Sequence, residues 1–160
     1  MRTRTFLSFL LAVSAFFALP ANAQFSPGSA ALSATTIPAS RLIQPSELNT
    51  LLASGDQSKL PVILQVGSHV FFAQAHIAGS QYAGPGSQAA GLALLEKAVS
   101  SLARARFIVI YCGCCPWNRC PNVGPAYKRL ADLGYTNVKV LYMANNFGDD
   151  WVGKGYPTQK

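Results

Sequence analysis

Phe107-Ile108-Val109-Ile110-Tyr111, followed without a break by Cys112-Gly113-Cys114-Cys115-Pro116-Trp117-Asn118-Arg119-Cys120-Pro121-Asn122, decides how this chain is read. The first five residues are β-branched or aromatic throughout, the composition of a strand buried on both faces. The strand gives way to a loop that holds all four cysteines of the chain. Residues 123–133 then read as a helix, and Gly134 stands where a glycine closes one.

Outward from that stretch, strand and helix signals alternate. Residues 62–66 form a second, nearly continuous apolar run, and residues 138–141 a third. Pro45 opens a short helix at a position where its missing N–H costs nothing, and Gly55 ends it. Leu92, Leu95, Val99 and Leu102 recur at helical spacing within residues 88–103. A last short helix is expected around Trp151, ending near Gly155 ahead of Pro157. Alternation of this kind predicts an α/β domain with a mainly parallel sheet between helical layers. In such sheets reactive groups stand at the carboxyl ends of strands, and Cys112 occupies one such end.

A thiol becomes a nucleophile or sulfur carrier when its thiolate is favoured. A loop leading into a helix favours it through backbone N–H groups and the partial positive charge of the helix N-terminus. Cys112 is therefore the candidate catalytic residue. Gly113, Cys114, Cys115, Trp117, Asn118 and Arg119 are the candidate substrate-binding residues, with their N–H groups expected to cradle an anionic sulfur. Four cysteines allow three complete pairings. The preferred expectation leaves Cys112 free and ties Cys120 to Cys114 or Cys115; a redox couple involving Cys112 is the alternative. A soft ion such as Cu(I) or Zn(II) suits thiolate ligands. Zinc ligands, however, usually come as two pairs far apart in sequence, and four in one tight loop are sterically awkward, so no metal is expected. The phosphatase pattern of Cys, five residues, then Arg fails by one residue from either Cys112 or Cys114 to Arg119.

With Cys112 after a buried strand, two flanking motifs complete a resemblance. His76-Ile77-Ala78-Gly79-Ser80 resembles the His-Ile-Pro-Gly-Ala stretch of the rhodanese family, and Trp151 with Gly155-Tyr156-Pro157 resembles that family's closing Trp and Gly-Tyr-Pro. The order matches over residues 43–157. The resemblance implies a rhodanese-like three-layer sandwich. It further implies a sulfurtransferase in which Cys112 takes sulfane sulfur from a donor such as thiosulfate and passes it to a thiophilic acceptor. It implies no organic cofactor; the partners would be a small anionic sulfur donor and a thiol acceptor. The chain departs from the family at Gln65 and Gly67, where an Asp and an Arg are frequent, and at Asn145-Asn146-Phe147, where Gly-Gly is more usual. A thiol-redox or soft-metal-binding module, or an inactive rhodanese-like binding domain, are the alternatives. Beside these readings, His76 is expected to be structural, Trp117 to stack on substrate or plug the loop, and Trp151 and Tyr156 to pack in the core.

The N-terminus carries Arg2 and Arg4, an apolar run over residues 6–19, and Ala21-Asn22-Ala23. This is the pattern of a cleaved signal peptide over residues 1–23, and the apolar run is short for a bilayer span. Export, to a bacterial periplasm, is the expectation, with no stable membrane anchor after cleavage. Residues 24–41, rich in Ser, Ala and Pro, read as a flexible linker, and residues 42–160 as the domain. The net charge is +7. The basic residues after the signal are scattered, without a stripe, so a nucleic-acid partner is not expected, while small anions are favoured near the protein.

Overall fold

The computed structural model describes residues 34–160. The expected signal segment, and the linker as far as residue 33, lie outside the described residues. In chain order the elements are β1 (Leu42–Ile43), α1 (Pro45–Ala53), β2 (Val62–Gln65), α2 (His69–Gln74), β3 (His76–Ile77), β4 (Gln81–Tyr82), α3 (Ala89–Val99), β5 (Ile108–Tyr111), α4 (Val123–Asp132), β6 (Val138–Leu141), α5 (Phe147–Asp150) and β7 (Thr158–Gln159). Among the described residues no helix is long and apolar enough to cross a membrane.

Local chemistry explains the boundaries. At α1, Pro45 takes the first turn while Gln44 and Glu47 satisfy each other's backbone N–H groups, with Gln44 N donating to Glu47 Oε2 at 2.8 Å. Gly55 and Gly134, at φ 69° and 83°, take the left-handed conformation past α1 and α4. The helical pattern through Leu102 is interrupted after Val99, where the chain tightens into a turn closed by Leu102 N on Val99 O.

The main sheet has the order β1-β6-β5-β2-β4 and every pairing in it is parallel. Strand β5 is the middle one, paired with β2 (Leu64 opposite Ile110) and β6 (Ile110 opposite Val140). Strands β3 and β7 form a separate antiparallel pair. Alternate residues of β5 enter different cores, as the two-residue strand period requires. Ile108 and Ile110 pack with Leu95, Val123 and Leu130 of α3 and α4. Val109 and Tyr111 face the other way, into Leu48, Ile77, Met143 and Trp151. Burying each such side chain contributes about 1.5–3 kcal/mol. This is the three-layer sandwich that the alternation predicts.

Packing begins upstream of Leu42. Ala34 and Ile37 are buried in the α3/α4-side core, and residues 34–41 form two short 3₁₀ turns. The flexible linker expected over residues 24–41 therefore gives way to packed chain by residue 34, because these two apolar side chains cover the sheet face beside α4.

Candidate functional site

The site is built where β5 and β2 end side by side. Gln65, the last residue of β2, is buried; its Nε2 donates to Cys112 O at 3.2 Å, and its Oε1 accepts from Gly67 N at 3.2 Å. A neutral amide thus ties the two strand ends together at the positions where the resemblance leads one to expect a charged pair. Gly67 makes room: a Cβ there would meet Cys112 Sγ at 2.9 Å and Gln65 Nε2 at 2.8 Å. Tyr111, one residue before the cysteine, accepts from Ile77 N at 3.1 Å and shares a 3.0 Å hydrogen bond with Ser80 Oγ. The His-Ile-Ala-Gly-Ser stretch is therefore fastened to the end of the central strand. Burial pushes the Tyr111 phenol up to about 12, so the group stays neutral.

The sulfur atoms crowd together. Cys112 Sγ lies 3.0 Å from Cys114 Sγ, and Cys114 Sγ lies 3.3 Å from Cys115 Sγ. All three fall within 4.8 Å of one another. Asn122 Nδ2 donates to Cys112 Sγ at 3.3 Å. Gly113, at φ 76°, makes the turn that folds Cys114 back over Cys112, and its carbonyl accepts from Phe147 N at 2.9 Å. All four cysteines are free thiols. The shorter of these two contacts joins Cys112 and Cys114, whereas the expected pairing joined Cys120 to Cys114 or Cys115. The turn at Gly113 brings three of the four sulfurs onto one spot that a single soft ion can span, and Cys120 is not in that group.

Their proton affinities diverge. Cys112 is raised, first by donating to Cys114, then by its contact with Cys120 and by burial. Cys114 receives the Cys112 hydrogen bond and is lowered to about 6. Burial, together with Cys114, pushes Cys115 up to about 12. Cys120 is lowered to about 7, by Cys112 and by the backbone N–H groups of Val123 and Asn122 at the start of α4. Of the amides expected to cradle Cys112, those of Trp117 and Arg119 are spent on the carbonyls of Ala144 and Pro116. The helix N-terminus serves Cys120 instead.

A cleft of about 370 Å³ opens over the strand end. Cys112, Gly113 and Cys114 line it together with Gln65, Tyr111, Phe71 and Gln74 of α2, and Asn146 and Phe147 at the start of α5. Cys112 is 4% exposed and reaches the cleft through its wall. Cys115, Trp117, Asn118 and Arg119 are not among the lining residues. Trp117 packs at a tilt of 53° against Tyr142, with ring centroids 5.2 Å apart, and rests on the core, so it plugs the loop. Asn118 and Arg119 are exposed. His76 is structural: its Nδ1 is 2.9 Å from Phe72 O, and its ring stacks on Phe72 at 3.8 Å. Trp151 is fully buried and donates from Nε1 to Pro157 O, which fixes the Gly-Tyr-Pro segment.

Sequence reasoning missed Asn122 and α2. Asn122 stands beside Pro121 and reads as a loop residue. Its buried side chain nevertheless accepts from Ser87 N and Ser87 Oγ at 3.1 and 2.8 Å while donating to Cys112. Helix α2 carries a visible start signal, Ser68, whose Oγ accepts from Val70 N.

A parallel sheet with a cysteine loop at the end of its middle strand, closed by the Tyr111 and Trp151 anchors, defines a rhodanese-like fold. Solved structures with this fold agree. The rhodanese-like domain of an Anabaena sp. protein superposes with a TM-score of 0.54 at 22% identity, over 74% of this chain and 78% of that one. A rhodanese-related protein of Thermoplasma volcanium gives 0.51 at 18% identity, over 74% and 97%. The BH2092 protein of Bacillus halodurans gives 0.58 at 19%, over 75% and 77%. No family model matches the chain, and no curated protein does.

Proposed function

We propose that the protein is an exported sulfurtransferase that carries sulfane sulfur as a persulfide on Cys112. One observation carries this reading: in a rhodanese-like fold, Cys112 stands at the carboxyl end of the middle strand and opens on a cleft, with Asn122 Nδ2 donating to its sulfur at 3.3 Å. Cys112 loses its proton to solvent through the cleft that its sulfur reaches. The Cys112 thiolate then attacks the outer sulfur of thiosulfate. The sulfur–sulfur bond of the donor breaks, and its electron pair leaves with sulfite. A thiol acceptor next takes the outer sulfur of the persulfide and returns Cys112 as thiolate, a double displacement. The scattered positive charge favours an anionic donor, and no organic cofactor enters the scheme. The export part of the reading rests on the N-terminal sequence pattern.

Incubating the reduced chain with thiosulfate, with release of sulfite measured and the mass of the Cys112 peptide determined, tests the assignment. A gain of one sulfur on Cys112, absent in Cys112→Ser, is expected. Sulfite release that persists in Cys112→Ser refutes it. The convergence of Cys112, Cys114 and Cys115 within 4.8 Å favours a second reading, capture of a soft ion such as Cu(I). Stoichiometric Cu(I) copurifying with the chain, and no sulfur uptake after its removal, would decide for that reading.

A further inference from the structure

We propose that Cys114 is a built-in resolving thiol, so that the carrier can discharge its sulfur as hydrosulfide without a second substrate in the cleft. This rests on Cys112 as the sulfur carrier. The two sulfurs are 3.0 Å apart, against 3.3 Å for those of Cys114 and Cys115. The approach is held from three sides. Gly113 turns the chain at φ 76°, and a Cβ there would meet Phe147 Cβ at 2.8 Å. Phe147 N is bonded to Gly113 O. Gln65 Nε2 fixes Cys112 O from the neighbouring strand. A thiol fixed beside a persulfide sees two sulfurs, and the inner one is the near one here. Both Cys112 and Cys114 line the same cleft, which gives the outer sulfur a way out.

The step balances without an added oxidant. Cys114 Sγ attacks Cys112 Sγ, and the bond from Cys112 Sγ to the outer sulfur breaks. The outer sulfur, protonated from solvent through the cleft, takes the electron pair and leaves as hydrosulfide. It is reduced by two electrons, and the two cysteine thiols are oxidised to one Cys112–Cys114 disulfide. A dithiol reductant of the thioredoxin type, acting from outside, restores the pair and readies it for the next donor.

Full-length protein, reduced and treated with a chelator, is mixed with one equivalent of thiosulfate and no added thiol. Hydrosulfide is measured, and the product is alkylated and mapped by mass. Wild type is expected to release one hydrosulfide per chain and to end with Cys112 linked to Cys114. Cys114→Ser and Cys114→Ala, checked for native melting, are expected to keep the extra sulfur on Cys112 and to release hydrosulfide only when an external thiol is added. If wild type holds its sulfur as long as both variants do, or if the disulfide maps to another pair, the inference is overturned while the carrier assignment stands. If neither variant loads sulfur on Cys112, the carrier assignment falls, and the inference falls with it.

Discussion

The two halves of the cysteine loop differ more than their shared composition suggests. The head, residues 112–115, brings three sulfurs together beside a cleft. In the tail, residues 117–122, three side chains turn inward while Asn118 and Arg119 stay exposed: Trp117 packs on Tyr142, Cys120 is buried at the start of α4, and Asn122 clamps Ser87. Cys114 and Cys120 are both held below the ordinary thiol range, each first by Cys112. Only Cys114 lines the cleft. A thiolate that no substrate reaches is a structural feature, so position within the loop, rather than the number of cysteines, divides chemistry from anchoring. Tail and head are nevertheless joined, at Asn122 Nδ2 and Cys112 Sγ, at Cys115 Sγ and Arg119 O, and between Cys112 and Cys120.

The largest effect should come from breaking the head's turn. Gly113→Ala places a side chain at φ 76° with its Cβ 2.8 Å from Phe147 Cβ. Left-handed strain and overpacking together should cost about 3 kcal/mol of stability. Gly55→Ala meets the same backbone strain at φ 69° with nothing within 4 Å, and should cost about 1 kcal/mol. Chemical denaturation of both variants checks the difference, and equal losses would mean that the head is not braced by Phe147. Next comes the Asn122 link between the halves. Asn122→Ala removes both Ser87 contacts and the donor to Cys112, and should cost about 2 kcal/mol. Asn122→Asp keeps the acceptor for Ser87 while setting a carboxylate against Cys112 Sγ. It should hold most of the stability yet slow sulfur loading about tenfold, the effect of roughly one pKa unit on the attacking thiol. Unchanged loading in Asn122→Asp would show that the tail does not tune the head through Asn122.

What the sequence made legible follows the same division. The strands β2, β5 and β6 are dense apolar runs, and α1, α3 and α4 carry periodic leucines, prolines and closing glycines. Their signals are local, and the fold rests on them. Cys112 was legible because the end of a buried strand is a fixed place in a parallel sheet. The rest of the site was not, because it depends on contacts across the chain. Gln65 reaches Cys112 over 47 residues and Asn122 reaches Ser87 over 35. Nothing in the composition of either segment announces the partner. The amides of the loop were assigned to Cys112 on the general tendency of such loops, whereas that of Arg119 closes the 3₁₀ turn on Pro116 O and that of Trp117 reaches Ala144 O. The early packing of Ala34 and Ile37 was hidden by a neighbourhood of Ser, Thr and Pro.

The most delicate consequence concerns which cysteine reacts first, and at what pH. A thiolate alkylates and a thiol does not. Cys114, lowered to about 6, is mostly thiolate at neutral pH, while Cys115, pushed up to about 12, is not. Alkylation of the reduced protein by a neutral iodoacetamide, followed by peptide mass, should therefore label Cys114 first, with a rate that climbs as the pH rises through about 6 and then levels off. The leading cause of the depression is the hydrogen bond from Cys112. Removing that donor in Cys112→Ala should move the climb upward toward the ordinary thiol value of about 8.5. Cys112→Ser, which keeps a hydroxyl donor at the same place, should leave it nearer to its original position. If the profile of Cys114 is the same in all three proteins, its low proton affinity does not come from Cys112. Cys112 and Cys114 would then be two independent thiols that happen to lie close.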